Sequence, residues 1–381
     1  MHIISLYHPI KVTFGNGCIR ELKTDLLNTG LKKLFIVTFK EILPLINTLL
    51  EDLRDLDIHP EIDLSIRKEP SYNDLTRILD YARTADAGIV IGIGGGSVLD
   101  VAKLVAAQLK NNQSLDQIVG INNLKSRDVM LICIPTTSGT GSEVSPNAIL
   151  MDEREHLKKG FISPWLVPDY VYVDPELTFS VPPAITAATG LDAFTHCLEA
   201  YTNNFSHPLV DTFALEGIRL IYNNLLTAVK NGKDSQARAN LSLASFYGGM
   251  CLGPVNTAAI HALSYPLGSE FDIAHGLSNA LLLPYVIEFN LPNAATRYAD
   301  IGRVMGIQNA RSDKIIALEC IVKIKKLIRD CGLPGRLSDE GIPEDAINRM
   351  AESAMKIQRL LRNNPREITL EDIKGIYLKA F

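Results

Sequence analysis

The sequence predicts an α/β half built on a largely parallel sheet, residues 1–183, followed by an all-helical half, residues 184–381. Three observations carry this prediction. Short apolar, β-branched runs alternate with helix-spaced segments up to about residue 183, the pattern of a parallel sheet covered on both faces. A glycine cluster, Gly92-Ile-Gly-Gly-Gly-Ser97, sits where the most apolar run gives way to a helix. After Pro182-Pro183 the apolar residues recur at three and four positions, and strand-like runs become scarce.

Taken in order, Ile10–Phe14 alternates and then meets Gly15-Asn-Gly17, a turn signal. Leu34–Thr38 reads as a short buried strand, Asp63–Ile66 as another, and Leu75–Thr84 as a helix. Ala87–Ile93 has the composition of a central parallel strand and leads into a helix over Val98–Leu109. Val129–Ile134 is the next central strand, ending at Pro135, and Val171–Val173 a further short one. The second half reads as helices over 184–203, 207–230, 234–250, 256–265, 276–289, 294–306, 313–331, 343–355 and 370–380, with Pro266, Pro284 and Pro292 as punctuation. Internal repeats and low-complexity tracts are absent from the sequence. The cleft between two such halves is the expected place for a site.

The totals narrow the functional class. The 381 residues are 46% hydrophobic and 21% charged, ordinary for a soluble globular protein. The formal net charge of -5 comes without a basic block, which argues against a nucleic-acid or membrane-surface partner. The N-terminus lacks a signal-peptide pattern, and no apolar stretch is long enough to span a bilayer. Cys18, Cys133, Cys197, Cys251, Cys320 and Cys331 are scattered with no CxxC pair, as expected of free thiols in a cytoplasmic enzyme.

Two loops suit a phosphate. In Gly92–Ser97, glycines allow a tight turn and close backbone approach, and the helix that follows offers free N–H groups to a pyrophosphate. The usual GxGxxG fingerprint would place glycine at 97, where Ser97 stands. A capped strand–helix turn is the rival reading of this loop alone. Pro135-Thr-Thr-Ser-Gly-Thr-Gly-Ser-Glu143 follows the next central strand and is rich in hydroxyls and flexible backbone. Two such loops at the ends of consecutive strands can grip one dinucleotide.

The helical half holds candidate metal ligands. In Gly190–Glu199, Asp192 and His196 are four apart and share one helix face, beside an apolar stripe of Leu191, Phe194, Leu198 and Tyr201. Such a pair is commonly a plain hydrogen bond. Glu199, one turn further on, suits an outer partner of a ligand. His261 lies on an apolar helix, and His275 lies where a helix begins. One oxygen and three nitrogens can hold Zn²⁺ or Fe²⁺ and leave room for a substrate oxygen. His2, His8 and His59 lie outside any constellation. His156 reads as solvated and His207 as a loop or helix-start residue.

Together these pieces resemble the iron-containing (group III) alcohol dehydrogenase family, with its dehydroquinate synthase-like architecture. The matching motifs are Gly94–Lys103, Pro135–Glu143, Ala188–His196, His261–Gly268, Ala274–Ala280 and Asn363–Arg366, in order and over nearly the whole chain. The resemblance implies a dinucleotide-binding α/β domain and a helical metal-binding domain. Its ligands fall on Asp192, His196, His261 and His275. Its NAD or NADP contacts fall on Gly95, Gly96, Ser97 and Asp100, on Thr136, Thr137 and Thr140, and on Asn147 and Lys158.

Three departures matter. Phe39 stands where NAD-preferring members often have an acid, which would hydrogen-bond ribose hydroxyls and repel a 2′-phosphate. Tyr265 stands where many members have a histidine that serves the substrate or its proton, and a phenol is a poorer base near neutrality than an imidazole. Ser71 replaces a common asparagine. The family implies hydride transfer between a nicotinamide and a small alcohol whose oxygen is polarised by a divalent cation, Fe²⁺ before Zn²⁺. A homodimer is implied as well. A hydroxyacid–oxoacid transhydrogenase with tightly bound cofactor, a dehydroquinate synthase-type lyase and a non-catalytic dinucleotide-binding protein are the alternatives. Phe246, Tyr247, Met250, Tyr265 and Phe271 are the expected pocket side chains.

Overall fold

The computed structural model describes residues 2–66, 69–155, 157–308 and 312–381. They form two compact units. One comprises Leu6–Thr137 and Gly141–Phe179; the other comprises Ser180–Phe381, the N-terminal residues up to Ser5, and the short segment Ser138–Thr140.

In the first unit the elements are β1 (Lys11–Phe14), α1 (Glu21–Thr29), β2 (Leu34–Val37), α2 (Asn47–Asp55), β3 (Glu61–Asp63), α3 (Tyr72–Thr84), β4 (Ile89–Gly94), α4 (Gly96–Gln108), α5 (Leu115–Ile118), β5 (Gly120–Ile121), β6 (Met130–Pro135), β7 (Asn147–Asp152), β8 (Leu157–Ile162) and β9 (Tyr170–Val173). A six-stranded parallel sheet has the order β1-β9-β6-β4-β2-β3. Its centre is β4 beside β6, in register Gly92↔Cys133 and Ile93↔Ile134. Both strands are buried along nearly their whole length, so apolar residues appear on both faces and alternation disappears. One face packs on a core that includes Phe35, Val90, Leu99 and Leu131; the other packs on Ile36, Ile91, Ile132 and Tyr172.

Helices α1, α2 and α5 were not among the expected segments, and the first unit departs from expectation at two strand segments as well. The strand expected at Asp63–Ile66 ends at Asp63, because that carboxylate accepts from the N–H and hydroxyl of Ser65 and turns the chain. The antiparallel hairpin β7–β8, in a separate three-stranded sheet ordered β5-β8-β7, was not expected from the sequence. Its second strand, Leu-Lys-Lys-Gly-Phe-Ile, is only partly buried and carries a weak apolar signal.

Helix α4 is fastened to this hairpin by charge. The buried Lys103 ammonium donates to the carbonyls of Ser145 (2.9 Å) and Asn147 (2.7 Å). Asp100, nearly a turn earlier, accepts from the Ile149 N–H (2.9 Å) and the Ser142 hydroxyl. Burial pushes the Lys103 ammonium below its usual range and the Asp100 carboxyl above its own. In the same loop, burial pushes Glu143 up from 4.5 to about 7. The folded state then holds a proton that the unfolded chain releases, so stability falls as pH rises from about 4.5 through about 7. Glu143→Gln is expected to raise the melting temperature relative to wild type at pH 8 and to change it little at pH 5, checked by thermal denaturation at both.

The second unit contains α6 (Pro183–Thr202), α7 (Pro208–Lys230), α8 (Ser235–Leu252), α9 (Ala259–Phe271), α10 (His275–Val304), α11 (Asp313–Asp330), α12 (Ile347–Met355), α13 (Gln358–Leu361) and α14 (Leu370–Ala380). Helix α6 is buried from Gly190 through Thr202, so it is the central helix around which α7, α8 and α10 pack. Pro266, Pro284 and Pro292, expected as punctuation, lie inside α9 and α10. Pro266 and Pro284 are buried, and tertiary packing carries the helix through the hydrogen bond each ring removes. The helices expected at 276–289 and 294–306 are two helical segments of α10 that meet at a kink, where Ala294 has non-helical angles (φ -131°, ψ 23°). Among the described residues, no helix is long and apolar enough to cross a membrane.

Candidate metal centre

Helix α6 places Asp192 and His196 on one face. His261 lies in the first turn of α9, and His275 is the first residue of α10. Their ligand atoms all lie within 4.8 Å of one another. Asp192 Oδ1 is 3.8 Å from His196 Nε2, 3.7 Å from His261 Nε2 and 3.5 Å from His275 Nε2. These gaps are too long for hydrogen bonds. Ligands on a tetrahedral cation with bonds of about 2.1 Å stand about 3.4 Å apart, so the spacing suits a shared ion. Asp192, His196 and His261 are buried, whereas the His275 side chain is 29% exposed and marks the open side.

The surroundings fix these groups. Glu199 Oε2 lies 2.6 Å from His261 Nδ1, which leaves the Nε2 lone pair directed at the centre. The same carboxylate accepts from the N–H groups of Ala258 (2.9 Å) and Ile260, where α9 has no capping side chain of its own. Burial opposes charge on His261, but Glu199 and Asp192 outweigh it and push the imidazole up to about 10, so Nε2 sheds a proton when it takes a cation. Burial pushes His196 down to about 4. Asp192 is held well below the usual carboxylate range: burial would raise it, and the imidazoles of His196, His275 and His261 prevail.

Asn279, four residues after His275 and on the same face of α10, tests whether a cation fits. Its Nδ2 lies 2.7 Å from Asp192 Oδ1, 3.1 Å from His261 Nε2 and 3.4 Å from His275 Nε2. Three acceptors thus converge on an amino group with two hydrogens, while the buried Asn279 Oδ1 has no partner. Lone pairs aimed at one point, a buried carboxylate and an outer carboxylate on one imidazole are the donor set of a divalent ion. Glu199→Gln is expected to weaken Zn²⁺ binding by about 10–100-fold, measured by chelator competition.

The glycine-rich loops lie at the ends of β4 and β6. Gly95 is the N-cap of α4 and provides no side-chain cap, so the first-turn N–H groups of Gly96 and Ser97 are left for a ligand. A side chain at Gly94 would put Cβ 2.6 Å from Val98 Cβ, so only glycine fits this turn. Thr136 is buried and its N–H donates to the Gly94 carbonyl; Thr137 lies beside Gly95. Asn147 opens β7 with a buried Oδ1 that has no partner.

Family models match both halves: "Iron-containing alcohol dehydrogenase" over residues 9–175 and "Fe-containing alcohol dehydrogenase family, C-terminal" over residues 186–381. The chain belongs to the iron-containing alcohol dehydrogenase family. It is therefore an oxidoreductase acting on alcohols. It is 35% identical over 387 residues to long-chain-alcohol dehydrogenase 1 of Geobacillus thermodenitrificans, covering 100% of this chain and 98% of the relative. The crystal structure of a 1,3-propanediol oxidoreductase matches with TM-score 0.96 at 32% identity over the full length of both chains. Sulfoacetaldehyde reductase from Bifidobacterium kashiwanohense, solved in complex with NAD⁺, matches with TM-score 0.89 at 26% identity, over 100% of this chain and 99% of that one.

Within this iron-containing alcohol dehydrogenase, other residues singled out from the sequence are occupied in bracing. Ser71 caps α3 in a reciprocal pair with Asp74, and the Asp100 carboxylate holds the β7 loop. Lys158 is ion-paired with Glu69, and Phe39 forms a lone bridge to Ser65. Thr140 lies in the segment that clusters with the helical unit. Tyr265 is one turn beyond His261 on α9, its ring 6.2 Å from that of His275. Phe246, Tyr247 and Met250 lie on α8, and Phe271 lies under the Arg349 guanidinium. His207 accepts from the Leu209 N–H as the N-cap of α7, and His156 lies outside the described residues. Sequence reasoning missed Asn279, although its spacing from His275 was an available signal, and Arg359, whose Nη2 donates to the Tyr265 hydroxyl at 3.2 Å and whose four-residue helix gave no signal.

Proposed function

We propose that this chain interconverts a small alcohol and its aldehyde or ketone, with NAD or NADP as the hydride carrier. Asp192, His196, His261 and His275 hold the divalent ion, Fe²⁺ in preference and Zn²⁺ as the alternative. The convergence of their ligand atoms within 4.8 Å, with Glu199 behind His261, carries this reading. Such an ion supplies Lewis acidity toward an alcohol or carbonyl oxygen. Asp192 provides the negative charge of the centre, and Glu199 fixes the tautomer of His261. The exposed flank of His275 admits a small substrate, and the neighbouring Tyr265 hydroxyl is placed to hold or pass its proton.

The N–H groups of Gly96 and Ser97 receive the pyrophosphate, with Gly95 allowing its approach. Thr136, Thr137, Thr140, Asn147 and Lys158 make further cofactor contacts, and Asp100, Phe39 and Ser71 shape the surroundings of the nucleoside. A cytoplasmic location accords with cysteines that are all free and buried. A homodimer accords with β1 as an outer strand of the sheet, bearing exposed Val12 and Phe14. The deciding experiment is a spectrophotometric screen of short alcohols and aldehydes with NADH and NADPH, on protein reconstituted with Fe²⁺ or Zn²⁺. Metal-dependent net consumption of reduced cofactor is expected. Consumption that ignores metal, or none with any carbonyl compound, would sink the reading.

A further inference from the structure

Beside the proposed centre is a cation that the alcohol chemistry does not use. Helix α13 packs on α9, the helix that carries His261 and Tyr265. Leu360 and Leu361 are buried and anchor this short helix, while Arg359 between α12 and that anchor is half-buried. Its Nη2 donates to the Tyr265 hydroxyl at 3.2 Å. Tyr265 in turn stands beside His275, so one tyrosine side chain links the guanidinium to the exposed ligand of the centre. Among the described residues, Arg359 forms no ion pair with a carboxylate. The chain around it adds charge of the same sign: Lys356, Arg359, Arg362 and Arg366 fall between Glu352 and Glu367 with no acid among them. Arg366 is engaged, with its guanidinium 4.0 Å from the Phe289 ring.

A guanidinium has five donors in a planar fork, and a phenol oxygen takes only one of them here. The remaining donors match the two oxygens of a carboxylate, and a half-buried position strengthens such a bond relative to one in open water. A substrate made only of carbon, hydrogen and hydroxyl would leave this fork unpaired.

We propose that Arg359 is the anion-binding residue of the substrate subsite, and that the alcohol or aldehyde turned over carries a carboxylate or similar oxyanion a few carbons from its reacting oxygen. The proposal rests on the redox reading above for the words alcohol and aldehyde, but not for the anion. The cationic run raises the local concentration of such substrates, and Arg359 fixes their direction, with the anionic end toward α13 and the oxygen end toward His275.

The test uses metal-reconstituted full-length protein and a series of ω-oxocarboxylates of increasing length, each beside the n-alkanal of the same chain length. In wild type the best oxocarboxylate is expected to exceed its alkanal in kcat/KM by at least about tenfold. Arg359→Gln lowers that ratio at least about tenfold, chiefly through KM, and Arg359→Lys restores part of it. A wild-type ratio of one or less at every length overturns the proposal, as does a ratio that Arg359→Gln leaves in place. Isothermal titration of the same proteins with the matching unreactive dicarboxylates decides the matter independently of turnover. Weaker binding to Arg359→Gln supports the subsite even if no carbonyl compound consumes NADH or NADPH, in which case only the redox reading fails. Binding that is absent from wild type, or equal in both proteins, overturns the subsite. Melting temperatures exclude a folding defect in the glutamine variant, and the lysine variant provides the second check.

Discussion

A His261→Ala variant is expected to lose bound metal and turnover together. The substitution removes one of four converging donors and leaves Glu199 with only the N–H groups of Ala258 and Ile260. A site reduced to three donors, with a cavity where the imidazole stood, no longer holds an ion against a chelator. Losing the Lewis acid costs several kcal/mol of transition-state stabilisation, so turnover should fall by at least about a thousandfold. Metal analysis of the purified variant, with single-substrate kinetics beside it, checks both quantities. His59→Ala removes an exposed imidazole far along the chain from the cluster and should retain both metal and activity. Full turnover in a metal-free His261→Ala protein would end the assignment of this centre.

Gly276→Ala is expected to damage the same centre without replacing a ligand. A Cβ at position 276 would lie 2.3 Å from the Ala188 carbonyl oxygen, 2.7 Å from its carbon and 3.3 Å from Asp192 Cβ. The obstruction is the backbone of α6, which cannot rotate aside as a side chain can. Helix α10 must therefore back away from α6, carrying His275 away from Asp192. Overpacking of this kind costs about 1–3 kcal/mol of stability. A displacement approaching 1 Å at a catalytic constellation costs about a hundredfold in rate. Urea unfolding and metal titration read the two effects separately. Unchanged stability and metal content would mean that α10 has slack at its N-terminus.

These expectations draw on features of different legibility. The central strands β4 and β6 were legible because burial on both faces leaves an uninterrupted apolar run. The β7–β8 hairpin was not, since Lys158 and Lys159 dilute the pattern of a strand that is only half-covered. Asp192 and His196 were visible as a pair because four residues make one helical turn. His261 and His275 were visible only as histidines in apolar or helix-start settings, and their meeting with Asp192 is a tertiary event. Their donor chemistry grouped them with Asp192 as candidates, and the order of the matched motifs assigned the same four through a family resemblance. Arg359 stayed out of view for the same reason, since it acquires its meaning from Tyr265, distant in sequence; Asn279 had a local signal in its spacing from His275, but its contact with Asp192 is tertiary. Pro266 and Pro284 misled because packed helices tolerate them where an isolated helix would stop, whereas Pro292 stands two residues before the kink at Ala294.

The three residues Ser138–Thr140 belong by contact to the helical unit, although they are encoded between β6 and β7. There Ser138 Oγ lies 3.1 Å from Ser242 Oγ, and a Cβ at Gly139 would lie 2.7 Å from that of Thr189. The two halves are therefore not separable cassettes. A gene fragment starting after Phe179 would encode every proposed metal ligand and still lack a clip wedged against the helix that bears two of them. Recombination between relatives at the linear junction would pair each helical half with a foreign clip, so crossover points placed before β6, which keep clip and helical half from one parent, should yield the folded chimeras.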